Sequence, residues 1–250
     1  MTTPSENRSP GSHADLADLF IRLGRELTSP HSVDDVLRIV SHRAYELIPS
    51  AQHAAISGGA SGKFETVAAT SDVPLLVDRI QYRLKAGPAV DTLGGGAYRV
   101  GDLATDPSWP EFGRRAASEY GIHSLLSVRM YLEDDDLLAG LSLYSSDRDA
   151  FDESDETTAT LLATHGALAL TAARRQNKIE HLERALRTSR RIGTAMGILM
   201  ASNKFTEQQA FDLLRIASQS HHRKLHDVAD QVVQTGELDV PAAPEERHRQ

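Results

Sequence analysis

The sequence predicts an α+β domain, then a long connecting helix, then a small all-α bundle. Three observations predict it. Apolar residues recur first at helical spacing and then in short runs bounded by glycine and proline, the pattern of an antiparallel sheet with helices packed on it. From Asp152 to about Gly193 only Gly166 and Gly193 interrupt a helix. After Gly193, three short apolar stripes follow, separated by cap and turn residues.

Leu16, Leu19, Phe20, Leu23 and Leu27 recur at helical spacing. A second helix opens at Ser32, with Asp35 three residues on as a capping box, runs through Val36, Val40 and Leu47, and stops at Pro49. Ala54–Ser57 then reads as a strand, Gly58–Gly62 as a hairpin turn and Phe64–Thr70 as the returning strand. Val73–Leu84 reads as a helix with Asp72 as N-cap and Pro74 in its first turn. Gly87-Pro88 and Gly94–Gly96 mark loops, the triplet one that needs positive φ. A strand is expected near Tyr98–Val100, a helix over Trp109–Tyr120, and strands over Ser124–Tyr131 and Leu137–Ser145 around the acidic turn Glu133–Asp136.

Within the long helix, positions 161, 165, 168, 172, 175, 179, 182, 186, 189 and 193 step by alternating four and three residues. Leu161, Leu168, Ile179, Leu182 and Leu186 are the apolar members that would form a dimer seam. His165 sits in the same register as a polar contact. The alternative is one amphipathic helix packed on its own domain. Beyond it, Ile192, Ala195, Met196, Leu199 and Met200 continue an apolar stripe, and Asn203-Lys204 makes the break. Thr206 with Gln209 is a second capping box, and Phe205 is placed for a hydrophobic staple. The next helix is expected to bury Ala210, Leu213, Leu214 and Ala217. Leu225, Val228, Ala229, Val232 and Val233 mark the last one, which Gly236 terminates. The resulting organisation is a disordered leader at 1–13, a sensor domain at 14–160, a connecting coiled coil at 161–191, a three-helix module at 192–236 and a disordered tail at 237–250.

With 40% hydrophobic and 25% charged residues, the chain has globular usage and needs no covalent staples at 250 residues. A cysteine count of 0 excludes disulfides, thiolate metal sites, a cysteine nucleophile and a thioether-linked chromophore. No apolar run reaches the ~18 residues of a membrane span. The polar N-terminus has no signal-peptide core, so a cytoplasmic location is expected. The net charge of −8 is unevenly spread. Residues 1–173 carry 14 basic and 25 acidic residues, a net of −11, whereas 174–236 carry 11 basic and 6 acidic, a net of +5. An acidic body bearing a basic C-terminal module implies that the module alone meets a polyanion, a solvated helical surface being the bland alternative.

Catalytic patterns are absent. There is no GxGxxG, P-loop, HExxH or nucleophile elbow. Glu133–Asp136 lacks the alternating oxygens of a calcium loop. His222 and His226 have metal-ligand spacing, but a basic contact surface is the better reading. No enzyme activity, metal or cofactor is expected.

Two segments resemble known families. Ile192–Ala229 resembles the ANTAR domain, the RNA-binding output module of bacterial transcription antiterminators. Sixteen residues carry the likeness in order: Ile192, Ala195, Gly197, Ile198, Leu199 and Met200, then Ala210, Phe211, Leu214, Arg215 and Ser218, then Lys224, Leu225, Asp227, Val228 and Ala229. The resemblance implies a three-helix bundle, fed by a coiled coil, that dimerises and binds paired RNA hairpins so that a terminator stem cannot form. Many members have lysine where this chain has Met196. Segment 30–170 looks like a GAF domain, a ligand-sensing relative of PAS domains. The carriers are Gly87-Pro88, Val100–Leu103, Asp106 with Trp109-Pro110, Gly121, Ser124–Val128, Leu138–Tyr144 and Phe151. Relatives of this architecture often place cysteine after Gly-Pro, where this chain has Ala89, so thiol-based sensing is not expected there. No receiver domain precedes the ANTAR segment, so input by aspartyl phosphorylation is not expected either.

RNA affinity comes largely from Lys and Arg neutralising phosphates, with loop bases stacking on aromatics, His or Arg. The expected RNA-binding residues are therefore Arg190, Arg191, Arg215, Ser218, His221, His222, Arg223 and Lys224, with small Ala195 and Gly197 allowing close approach. Phe211 is the candidate aromatic, with a core position as its alternative. The reading is a homodimeric, signal-responsive antiterminator whose partners are RNA hairpins in nascent transcripts and whose GAF domain takes an unidentified ligand. One competing reading is a sensor whose C-terminal helices bind DNA or a protein partner, although the last helix offers mainly Asp227, Asp230 and Gln231 to a groove. Another is an enzyme or a sensor holding haem, flavin or a cyclic nucleotide.

Overall fold

A computed structural model of the chain describes residues 21–27, 32–60, 63–132 and 137–238. The expected leader, the residues Leu16, Leu19 and Phe20, the acidic turn Glu133–Asp136 and the tail beyond 238 lie outside the described residues.

Helix α1 is described over 21–27, and α2 spans Val33–Leu47. The capping box forms at the start of α2: Asp35 N–H donates to Ser32 Oγ at 3.2 Å, and Ser32 N–H donates to Asp35 Oδ2 at 3.3 Å. Five strands follow: β1 (His53–Ala60), β2 (Lys63–Ala69), β3 (Ala97–Val100), β4 (Ser124–Met130) and β5 (Leu137–Ser145). They form one antiparallel sheet in the order β2-β1-β5-β4-β3. Between them lie α3 (Asp72–Leu84), α4 (Pro88–Gly94) and α5 (Pro110–Tyr120). Three helices complete the chain, α6 (Glu153–Asn203), α7 (Glu207–Ser220) and α8 (Leu225–Thr235).

Period-two alternation sends successive strand residues to opposite faces. Ile56, Leu126, Val128, Leu141 and Leu143 pack with Val36, Val40 and Ala44 of α2 and with Leu162, Ala163 and Leu170 of α6. Ala55, Leu125 and Tyr144 instead meet Val77 and Ile80 of α3 and Phe112 and Ala116 of α5. Both faces are covered, and each fully buried Leu or Ile contributes about 1.5–3 kcal/mol. Gly166 makes one of these contacts possible. A Cβ there would lie 2.8 Å from Val40 Cγ2, so the glycine lets α6 approach α2 closely instead of interrupting the helix.

Several sequence expectations are corrected. Gly58, Gly59 and Ala60 belong to β1, not to the turn, because the pairing continues through Gly59↔Phe64 to Ala60↔Lys63. The N-cap of α3 is Ser71, one residue before Asp72. Helix α4 was not foreseen, since seven residues are too few to show a period; Pro88 at its start and Gly87 as cap nucleate it. Gly95 and Gly96 do adopt positive φ, at 131° and 95°. The connecting helix and the first helix of the C-terminal module are one uninterrupted α6, so the expected boundary between 191 and 192 falls inside a helix. A helical glycine costs only about 1 kcal/mol relative to alanine, and the strong helix formers around Gly193 outweigh it. The chain packs as two units, one ending at Gln176 and the other beginning at Asn177.

The second unit has its own core. Ala195 and Leu199 of α6, Ala210, Leu214 and Ala217 of α7, and Val228, Ala229 and Val232 of α8 are buried together. Leu213 is half-buried, not a core residue as expected. The Thr206–Gln209 capping box forms, and Gly236 caps α8 at φ 75°.

Candidate nucleic-acid interface

The basic segment occupies the connection from α7 to α8. Its backbone is closed by local hydrogen bonds: His221 N–H donates to Ala217 O at 3.1 Å and Arg223 N–H to Ser218 O at 3.0 Å. His222 takes a left-handed φ of 52°. Such a φ is uncommon outside glycine, and it turns the chain back into α8. Lys224 is the N-cap of α8 and its side chain is exposed.

The expected contact residues divide by what they touch. Ser218 Oγ donates to the carbonyl of Arg223 at 2.6 Å. Arg223 sends Nη1 to Gln231 Oε1 at 2.5 Å and Nη2 to the Asp227 carbonyl at 3.3 Å. Ser218 and Arg223 therefore shape the connection. Arg191 Nε lies 2.8 Å from Asp230 Oδ1, an ion pair between α6 and α8 in which the N–H is not aimed as a hydrogen bond. Arg215 pairs with Asp212 at 3.3 Å on its own helix. Arg190, His222 and Lys224 are exposed and enter no ion pair among the described residues, and exposed His221 has a partner.

Two expectations need separate comment. Ala195 is fully buried in the module's core, so it cannot touch RNA; its smallness serves packing between helices. Gly197 is exposed, and a Cβ there would meet nothing within 4 Å. His222 precedes α8, so its spacing to His226 is not helical, and no group of three or more potential metal-ligating side chains occurs among the described residues. Phe211 is 37% exposed, which leaves its ring partly available to a base. The sequence offers Asp230 and Gln231 only as an exposed face of the last helix, and their pairing with Arg191 and Arg223 was not foreseen. Their roles arise from α8 folding back beside Arg223 and Arg191, which no local pattern encodes.

The first unit holds a different polar arrangement. Asp78 of α3 is completely buried and faces no cation. Tyr144 OH (2.6 Å) and Gln81 Nε2 (2.9 Å) donate to Oδ1, and Thr66 Oγ1 (2.7 Å) donates to Oδ2. Tyr82 OH donates to Ser57 Oγ at 2.8 Å and lies 3.1 Å from Thr66 Oγ1. Gln81 Oε1 accepts the Ala89 N–H of α4 at 2.8 Å. One carboxyl thus ties α3 to β2 and β5, and through Gln81 to α4. Burial raises its pKa to about 6 against the lowering pull of the four hydrogen-bonding groups around it. Burial also raises the pKa values of Tyr82 and Tyr144.

The family model for the GAF domain matches residues 30–171, and that for the ANTAR domain matches 180–233. The chain belongs to the GAF domain family, with an ANTAR domain behind it. No curated protein gave a significant match. Among solved structures, the free methionine-R-sulfoxide reductase of Neisseria meningitidis, in complex with its substrate, is 14% identical with a TM-score of 0.53, covering 68% of this chain and 96% of that one. The GAF domain of an Acinetobacter phosphoenolpyruvate-protein phosphotransferase is 15% identical with a TM-score of 0.50, covering 66% and 97%. A bacteriophytochrome from R. palustris is 10% identical with a TM-score of 0.53, covering 85% of this chain and 48% of its own. At such identities the likeness is one of fold.

A GAF domain joined to an ANTAR domain makes this a regulatory protein of the RNA-binding antitermination kind, and neither domain is a catalytic family. In the GAF domain, Ala89 is buried with its N–H held by Gln81. In the ANTAR domain, Met196 is partly buried against the core, so the residue that replaces lysine here adds packing. No helix among the described residues is long and apolar enough to cross a membrane.

Proposed function

We propose that the chain is a signal-responsive antiterminator that acts as a homodimer in the cytoplasm, without catalysis. Two copies pair along α6, and each ANTAR domain presents its α7–α8 connection to one of two RNA hairpins, so that the competing terminator stem does not form. The observation that carries the reading is an apolar row left exposed among the described residues. Leu168, Ile179, Leu182 and Leu186 are 66%, 50%, 56% and 69% exposed, and Leu161 is half-buried. The opposite side of α6 is used within the chain, by Leu162, Ala163, Ala167 and Leu170. The amphipathic-helix alternative therefore accounts for one face of α6 and leaves the four-three row unexplained.

On the RNA side, Arg190 and Lys224, which enter no ion pair among the described residues, supply phosphate and base contacts with His221 and His222, and Phe211 offers a ring for stacking. The paired Arg191, Arg215 and Arg223 hold the surface in shape. Linking two weak sites raises avidity by roughly 10²–10⁴ when both can be engaged. Control then requires only that a GAF ligand alter the pairing of α6.

The test is titration of the full chain with a two-hairpin RNA, with each hairpin alone, and with a DNA duplex of similar length. The two-hairpin RNA is expected to bind at least a hundredfold more tightly than either single hairpin. Equal affinity for RNA and DNA would support the DNA-binding reading instead.

A further inference from the structure

Helix α3 carries a second feature, joined to the Asp78 arrangement only through Tyr82. Leu76, Arg79, Tyr82 and Arg83 of α3 and Tyr120 at the end of α5 line a groove of about 490 Å³. That volume is in the range of small-molecule sites. We propose that this groove binds a small aromatic anion, a planar ring bearing a carboxylate or phosphate. The two guanidinium groups would hold the charge, and the tyrosines and Leu76 would hold the ring.

Charge distribution supports the choice of an anion. The first 173 residues carry a net of −11, so two arginines converging on one groove run against the domain's overall sign. Glu119 of α5 lies close enough for the charge of Arg83 to help lower its pKa, but its hydrogen bonds go elsewhere. Glu119 is taken up by Arg115, whose Nε and Nη2 donate to its two oxygens at 2.7 and 3.4 Å. Arg83 is turned along its own helix, with Nε donating to the Arg79 carbonyl at 3.2 Å, and its terminal nitrogens make no hydrogen bond among the described residues. Arg79 makes no ion pair among the described residues. Guanidinium groups without an ion pair of 4 Å or less among the described residues, set beside tyrosine rings, suit a planar anion, because arginine both forks to carboxylate or phosphate and stacks on aromatic faces.

Tyr82 also explains how such a ligand would be felt. Its ring lines the groove while its hydroxyl is fixed to Ser57 of β1 and lies beside Thr66 of β2. The ring is thereby held rigid, and a ligand leaning on it acts on the hydrogen bonds that join α3 to the sheet. The proposal is independent of the RNA reading.

The experiment is calorimetric titration of the full chain with 2-naphthoate and, separately, with inorganic phosphate. Saturable binding of 2-naphthoate is expected, weakened at least tenfold in the Arg79→Gln, Arg83→Gln double variant and in Tyr120→Ala. Arg79→Lys with Arg83→Lys keeps the charge and should retain part of the affinity, so the site stays testable if a glutamine or alanine variant melts early. Arg148→Gln, which removes a cation paired with Asp102 elsewhere on the domain, should bind as the parent does. No saturable binding at millimolar 2-naphthoate would overturn the proposal. So would unchanged affinity in the double variant, or phosphate binding as tightly as 2-naphthoate.

Discussion

The Arg223 guanidinium donates to the side-chain oxygen of Gln231 at 2.5 Å, across the junction between the α7–α8 connection and α8. The most basic stretch of the ANTAR domain therefore contains one arginine that braces the surface and, next to it, a lysine that is free to meet phosphate. This distinction separates two variants that composition alone would treat alike.

Lys224→Ala should lower affinity for structured RNA and flatten its salt slope by roughly 0.7, the loss of one single-strand phosphate contact. Its melting temperature should not move, because exposed substitutions stay within about 0.5 kcal/mol. Gln231→Ala should weaken RNA binding with an unchanged slope, since it loosens the connection and removes no charge. Arg223→Ala should likewise weaken RNA binding with little change of slope, and cost about 1 kcal/mol in stability through its lost hydrogen bonds. RNA titrations at several salt concentrations, paired with thermal melts, measure all three.

Leu182→Glu combined with Leu186→Glu should yield monomers by sedimentation velocity at micromolar concentration, where the parent chain is expected to be dimeric. Each monomer should stay folded, because both side chains are already more than half exposed within one chain. A parent chain that sediments as a monomer would require another trigger for pairing.

Asp78 predicts an inverted pH response. Its carboxyl ordinarily titrates at 3.8 and is raised to about 6 in the fold. Across that window the native state keeps a proton that the unfolded chain has released, so this group's contribution is fully present at low pH and is lost as pH rises through 6. The cost at neutral pH is on the order of 3 kcal/mol, at about 1.4 kcal/mol per unit. Asp78→Asn should remove this dependence. Its amide oxygen accepts from Tyr144 and Gln81, and its NH₂ donates to Thr66, which turns to donate to Tyr82. Denaturant melts from pH 4 to 8 should show a flatter profile and a variant at least as stable as the parent at pH 7.5.

Two glycines of α6 should respond oppositely to alanine. Gly166→Ala places a methyl 2.8 Å from Val40 Cγ2 and 3.1 Å from Met130 Cε, and should destabilise the fold by about 1–3 kcal/mol. Gly197→Ala adds a methyl in open space and should stabilise the helix by up to about 1 kcal/mol. Loss of RNA affinity in that stabilised variant would place Gly197 at the RNA contact. Unchanged affinity would remove it from the interface.

The two capping boxes, the strand positions, the two short helices that close the chain and the excess of positive charge in the ANTAR segment were all legible in the chain, because each is written within a few residues. The four-three row on α6 was legible for the same reason, and its exposure separates it from the face that packs on the sheet. Other features were decided only by tertiary structure. Ala195 and Gly197 look alike as small residues on one helix, yet the first is sealed in the core and the second faces open space, because α7 and α8 cover only one side of α6. Ser218, Arg191 and Arg223 read as RNA contacts until the fold brings the Arg223 carbonyl, Asp230 and Gln231 to them. Asp78 gave no signal in the sequence, since its partners lie 3, 12 and 66 residues away. Short-range periodicity determines which elements form and which faces are apolar. Long-range packing determines which polar groups are consumed inside the protein and which remain for a ligand.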